Sequence, residues 1–319
     1  MMELWRETIL GTVITELAAF FAVPELEFLQ RYEKLFGGYA DLPALQGMLK
    51  NGVQGKCQEI IQRAKKLALG GEDPHRERET MNPLCSVFSN LSLDGNYPKK
   101  KMYYDPAELS MKNIIPLSVG QIKDCDYKKV REQFFHELDL LQQSFPDSFE
   151  DFLTVLDTLM KKYLWGIPAT QNEQEDVSLY DYIKTATAIT AALLKSENRD
   201  RPYVMVAGHF SGIQKYIFLV SKVGSGGVAK RLRSRSFYVN ATISALAHCI
   251  VHKFGLPLTN ILMLTGGKFY ILLPNTDDTG RILQEIEEDV TEFLYNKFKG
   301  NLSFELVWEK IGDAGIYNY

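Results

Sequence analysis

The chain has 319 residues, 45% of them hydrophobic and 24% charged, with a formal net charge of -4 and a pI near 5.8. That length suits about two domains whose cores need no disulfide or metal support. The acidic balance excludes coating of nucleic acid by overall charge and leaves only a local basic patch for phosphate.

Leu10, Val13, Leu17 and Phe20, and later Ile60, Ala64 and Leu67, recur at helical spacing and predict helices through residues 1–90. Pro24, Gly37-Gly38 and Gly70-Gly71 punctuate them. Residues 91–104, with Asp94-Gly95-Asn96 and Lys99-Lys100-Lys101, read as an exposed turn or hairpin linker. Residues 127–165 return to helix, with Phe134, Leu138 and Leu141 on one face and Phe152, Val155, Leu156 and Leu159 on the next. Residues 169–176 form a polar connector, and Asp176 or Ser178 is placed to cap the helix after it.

The pattern then changes. Residues 203–207 are a short apolar run, a buried strand, and 236–254 read as a helix. The apolar runs 260–265 and 269–273 flank Gly266-Gly267-Lys268 and predict a hairpin. Residues 281–299 form an amphipathic helix along Ile282, Ile286, Val290, Phe293 and Leu294. Residues 302–308 alternate through Leu302, Phe304, Leu306 and Trp308, as a half-buried strand does. The expected fold class is α+β: a helical domain with linker over 1–170, then a ferredoxin-like βαββαβ domain over 171–319. That second arrangement serves many functions and decides none by itself.

The four cysteines, Cys57, Cys85, Cys125 and Cys249, form no CxxC pair, so neither a zinc knuckle nor a thioredoxin-type redox pair is expected. Residues 1–6 lack the pattern of a secretion signal, and no run reaches about 18 apolar residues. The expectation is a cytoplasmic protein without a membrane partner.

Several strings are more specific. Gly208-His209-Phe210-Ser211-Gly212-Ile213-Gln214-Lys215-Tyr216-Ile217-Phe218 resembles the G-D-I-S-G-I-Q-x-F-I-Y of the large subunit of type III (Csm/Cmr-type) CRISPR effector complexes. In the same order, Pro83-Leu84-Cys85-Ser86-Val87-Phe88, Asp176-Val177-Ser178-Leu179-Tyr180-Asp181-Tyr182 and Leu232-Arg233-Ser234-Arg235-Ser236-Phe237-Tyr238 are similar to further family segments. Gly266-Gly267-Lys268-Phe269 stands at the first-palm hairpin, as G-G-x-F rather than G-G-D-D. The resemblance runs from about residue 10 onward and covers the family's amino-terminal half, an HD domain followed by a first palm.

That resemblance implies lost chemistry. An HD centre holds one or two metals on His and Asp ligands. Here Thr15-Glu16 aligns with the His-Asp pair, and Lys65, in Arg63-Ala64-Lys65-Lys66-Leu67-Ala68, aligns with the distant Asp. The remaining histidines singled out, His75 and His136, read as surface residues. A catalytic palm holds two metals on carboxylates from its first strand and hairpin, whereas this chain offers His209, Lys268 and Phe269. Asp277 and Asp278 read as a turn and helix cap. No catalytic or metal-ligating residue is therefore expected.

The segment Gly224-Ser225-Gly226-Gly227, followed by Lys230, Arg231 and Arg233, suits phosphate or RNA by backbone freedom and charge. By resemblance, Ser211, Gly212, Gln214, Arg235 and Ser236 are carried over as one wall of an ATP pocket. The implied cofactor is ATP with Mg2+, supplied through a second-palm partner. The implied partners are the other effector subunits, crRNA and target RNA indirectly, and a separate second-palm chain. The main expectation is a non-catalytic half of a cyclic-oligoadenylate synthetase subunit in antiviral defence. It would be a part of a longer subunit, half of a split one, or a free-standing homologue. Alternatives are a diverged metal-dependent nuclease of single-stranded DNA or a nucleotidyltransferase, an inhibitory homologue of the active subunit, and a helical domain joined to an unrelated ferredoxin-like module.

Overall fold

The structure is a computed structural model that describes residues 4–50, 55–70, 83–92, 95–96, 100–122, 127–144, 146–170, 176–218 and 227–317. Two compact units divide at Thr190/Ala191, inside a helix rather than in the polar connector at 169–176.

The first unit is built on helix α1 (Trp5–Phe21), which is buried on nearly every side. A helix that is apolar all round is a core element rather than a surface one. Its three buried or half-buried threonines are satisfied locally: Thr8, Thr12 and Thr15 each donate to the carbonyl one turn back, and Thr12 Oγ1 also meets Thr190 Oγ1 at 3.1 Å. Around it lie α2 (Glu25–Arg31), α3 (Glu33–Gly37), α4 (Leu42–Lys50) and α5 (Lys56–Ala68). Strands β1 (Met102–Tyr103) and β2 (Leu117–Ser118) pair antiparallel, and Cys85 forms a β-bridge with Tyr103, so the end of the expected turn or hairpin linker is a short strand.

Helices α6 (Tyr127–Leu141) and α7 (Phe149–Leu164) add an aromatic cluster to that core. Phe21 meets Phe28 at 5.7 Å and Phe134 at 5.4 Å between ring centroids, and Tyr39 stacks on Phe152 at 4.5 Å. Helix α8 (Leu179–Lys195) starts at a side-chain cap, where the Asp181 backbone N–H donates to Ser178 Oγ at 3.0 Å. Ser178, not Asp176, is thus the cap; Asp176 accepts from Asn90 Nδ2. Ser178→Ala is expected to lower stability by about 1 kcal/mol, read from the urea midpoint. An unchanged midpoint would reject the cap.

The second unit holds β3 (Tyr203–Ser211), α9 (Ile213–Phe218), α10 (Val228–Lys253), β4 (Ile261–Thr265), β5 (Lys268–Pro274), α11 (Thr279–Phe298), β6 (Ser303–Ile311) and α12 (Asp313–Tyr317). All sheet pairings are antiparallel and the strand order is β4-β5-β3-β6. This is the ferredoxin-like order expected for βαββαβ. A two-residue turn at Gly266 and Gly267, both with positive φ, closes the hairpin and fixes its register. Helix α10 starts at Val228, eight positions ahead of the expected Ser236, so the basic run lies within the helix. Position Asp278 precedes α11, yet its carboxylate binds Arg281 at 3.0 Å instead of capping backbone N–H groups. On β6, the Leu306 N–H donates to Glu287 Oε1 of α11 at 3.0 Å.

Among the described residues, no single helix is long and apolar enough to cross a membrane. Cys125, His75 and Gly224 to Gly226 lie outside the described residues.

Candidate functional site

Alternation along the sheet sorts the second unit's side chains into two faces. Phe210, Phe269, Phe304 and Leu306 are buried. Phe269 therefore sits in the core, and its ring lies against Gly208, where any Cβ would collide with it. On the opposite face Tyr203, Met205 and Leu272 are buried as well, and only the end beside the hairpin is open. There Lys268, His209 and Glu305 stand in one row across three strands, since His209 pairs with Lys268 on β5 and with Glu305 on β6.

Ser211 joins that row. Its hydroxyl donates to Glu305 Oε1 at 3.2 Å and lies 3.3 Å from His209 Nε2, while His209 Nε2 is 3.7 Å from Glu305 Oε2. Hydroxyl and carboxylate thus address the same ring nitrogen. A proton relay needs the carboxylate on the far nitrogen of the ring, so this trio is no nucleophile-base-acid triad. Two-metal chemistry needs several converging carboxylates. The row supplies one, beside a lysine and a histidine, and suits an anion better than a divalent cation.

The turn after β3 is constrained as well. Gly212 has φ +83°, and a Cβ there would lie 2.7 Å from the Asn301 carbonyl oxygen. Any side chain would push the β3–α9 turn away from the start of β6. Gln214 and Ser236 are exposed. Arg235 is committed elsewhere, donating to the Tyr216 carbonyl at 2.7 Å and lying over the Tyr216 ring. Ser211 and Arg235, expected in one wall, thus belong to two separate networks, one on the sheet and one between α9 and α10. Lys230, Arg231 and Arg233 are exposed on the first turns of α10. Glu305 is the member that sequence reasoning missed. The alternation Phe304, Leu306, Trp308 already put it on the outward face.

In the first unit, Lys65 Nζ on α5 meets Glu16 Oε1 on α1 at 2.6 Å, with both side chains about 2% exposed or less. A buried charge is tolerated only when paired, and here each offsets the other. Thr15 Oγ1 is spent on the Gly11 carbonyl. A further polar group joins α7 and α8, where Tyr180 donates to Asp157 Oδ2 at 3.3 Å. Burial raises the Asp157 carboxyl above its ordinary range and lowers the Lys184 ammonium. His136 is exposed on α6. Among the described residues, no three His, Cys, Asp or Glu side chains are grouped to hold a metal ion.

The arrangement is a helical unit followed by a ferredoxin-like unit with a Gly-Gly hairpin. Residues 202–318 match the family model "Csm1 subunit domain B". The "CRISPR system single-strand-specific deoxyribonuclease Cas10/Csm1 (subtype III-A)" of Thermococcus onnurineus is 29% identical over 265 residues, covering 79% of this chain and 31% of the relative. The crystal structure of Csm1 in T. onnurineus superposes with a TM-score of 0.74 at 25% identity, covering 98% of this chain and 46% of that one. The crystal structure of a Csm1-Csm4 cassette in complex with AMPPNP gives a TM-score of 0.72 at 25% identity over 97% of this chain and 45% of that one. The chain is similar to the amino-terminal half of the type III-A CRISPR large subunit. It spans about a third of the length of the curated relatives it matches.

Proposed function

We propose that this chain is a non-catalytic half of a type III CRISPR effector large subunit, serving as scaffold and as one wall of an ATP pocket. The observation that carries the reading is the Lys65–Glu16 ion pair. By resemblance it stands where an HD domain holds its metal ligands. A lysine ammonium there satisfies the acid internally and repels a cation. The row of Lys268, His209 and Glu305 adds a second support, because it offers one carboxylate beside a lysine and a histidine where a palm uses several on metal-bound phosphates.

On this reading, Ser211 and Gly212 border the nucleotide, with Lys268 and His209 facing its phosphates and Gln214 and Ser236 at the rim. A second palm, on a separate chain or a longer one, brings Mg2+ and the reactive carboxylates. Related structures contain Csm1 with Csm4 and with one ATP. The partners proposed for this chain are accordingly a Csm4-type subunit, the rest of the effector, and its crRNA and target RNA through them, in the cytoplasm.

The test is made on the full chain. Incubation with labelled single-stranded DNA and Mn2+ is expected to give no cleavage above a metal-free control. Calorimetric titration of ATP is expected to show millimolar binding or none, tightening when a second-palm chain is added. Metal-dependent cleavage or ATP turnover by the chain alone would overturn the reading.

A further inference from the structure

At the first turn of α1 an open cleft of about 490 Å3 lies against the chain between α3 and α4. Trp5, Glu7, Tyr39 and Asp41 are among the residues that line it. Glu7 is 5% exposed, and its Oε1 accepts from the Asp41 backbone N–H at 2.8 Å. Among the described residues no donor meets its other oxygen, Oε2. Asp41 caps α4, taking the Ala44 N–H on Oδ1 at 2.8 Å. Arg6, the cation of the lining, is spent elsewhere: it donates to the Tyr39 carbonyl at 3.3 Å and lies 5.1 Å over the Phe149 ring.

Part of this arrangement serves the fold. An acid in the first turn suits the positive end of α1, and its bond to Asp41 fixes the start of α4. Neither role uses Oε2 or fills the space beside it. A carboxylate this deeply buried, with one oxygen unmatched, gains by taking a cation. The surroundings favour one as well. Burial raises the Tyr39 hydroxyl above its ordinary range, and the carboxylates of Asp147 and Asp151 nearby raise it further. Two features decide which kind of cation fits. The described lining offers two carboxylates, whereas Ca2+ or Mg2+ takes about six oxygens, and the volume is that of an organic ligand's site. The half-buried Trp5 adds a ring whose face attracts an ammonium and whose edge packs on methylenes.

We propose that this cleft binds a primary ammonium on an unbranched aliphatic stem, with the ammonium between Glu7 Oε2 and the Asp41 carboxylate and the stem along Trp5. A free polyamine and a lysine side chain of a partner share that chemistry. The cleft uses neither the Lys65–Glu16 pair nor the row on the sheet, so the proposal holds whether or not the second unit takes ATP.

The experiment is calorimetric titration of the full chain with spermidine and, separately, with Nα-acetyl-lysine methylamide, both in excess Mg2+ to screen diffuse attraction to surface acids. Expected is saturable binding at one site. Saturation by spermidine alone assigns the cleft to a free polyamine, and saturation by the lysine derivative assigns it to a partner's side chain. Glu7→Gln keeps the acceptor for the Asp41 N–H and removes the charge, and is expected to weaken binding about 10-fold or more. Trp5→Leu should weaken it about 3-fold or more. Asp289→Asn, the same change of charge on the exposed side of α11, should bind like the parent. A thermal melt of each variant accompanies the titrations, and Trp5→Leu decides alone if Glu7→Gln does not fold. No saturable heat with either amine, a folded Glu7→Gln that binds like the parent, or an equal loss in Asp289→Asn would overturn the proposal.

Discussion

Lys65→Met is expected to destabilise the first unit by about 3–5 kcal/mol. The cause is the carboxylate left behind: Glu16 is 2% exposed and loses an ammonium 2.6 Å away. Adding Glu16→Gln to Lys65→Met removes the stranded charge and should recover much of the loss. The double variant separates a pair that is costly to break from one that stabilises in its own right. Urea denaturation of the parent and three variants measures this directly. If Lys65→Met unfolds at the parent's midpoint, the ion pair has no structural weight and the account of the HD-like positions loses its support.

Gly208→Ala is the second large effect. The strand brings Phe269 across Gly208 with no room for a methyl group, and Phe269 in turn packs on Phe304 at 6.2 Å between centroids. Overpacking of this kind costs about 1–3 kcal/mol. It would also shift β3 against β5, and with them the neighbouring His209–Lys268 pair. Phe269→Leu in the same chain makes space, so the combined variant should be more stable than the sum of the two single losses predicts. Strict additivity, read from the same denaturation curves, would mean that the two residues do not share that space.

These two sites also show what the amino-acid sequence discloses. The buried strands and amphipathic helices were legible because periods of 2 and 3.6 are local properties. The hairpin was legible because Gly266-Gly267 names its own turn. Two elements were not. Helix α10 opens with four bases in eight residues, a composition that reads as a solvated loop; packing of Val239, Ile243 and Ala247 further along carries the helix back to Gly227. The cluster around His209 needed Glu305 on β6, which comes 94 residues after Ser211 and reaches it only through strand pairing. Local patterns sort residues by face. They do not state which strand lies beside which.

In the same way, Lys65 and Glu16 were each readable as departures from a ligand pattern, but their union was not. The two departures complement each other. What the pattern does not state is that the two meet as a buried ion pair.

The bond from the Leu306 N–H to Glu287 has a consequence for assembly. β6 is the outer strand of its sheet, and an outer strand invites a foreign chain to continue the ladder. Here a carboxylate from the chain's own helix α11 already occupies that donor. An incoming strand would have to displace it and leave a negative charge beside its own carbonyls. Quaternary growth by sheet extension is thereby discouraged at the middle of β6, which leaves side-chain surfaces to choose neighbours.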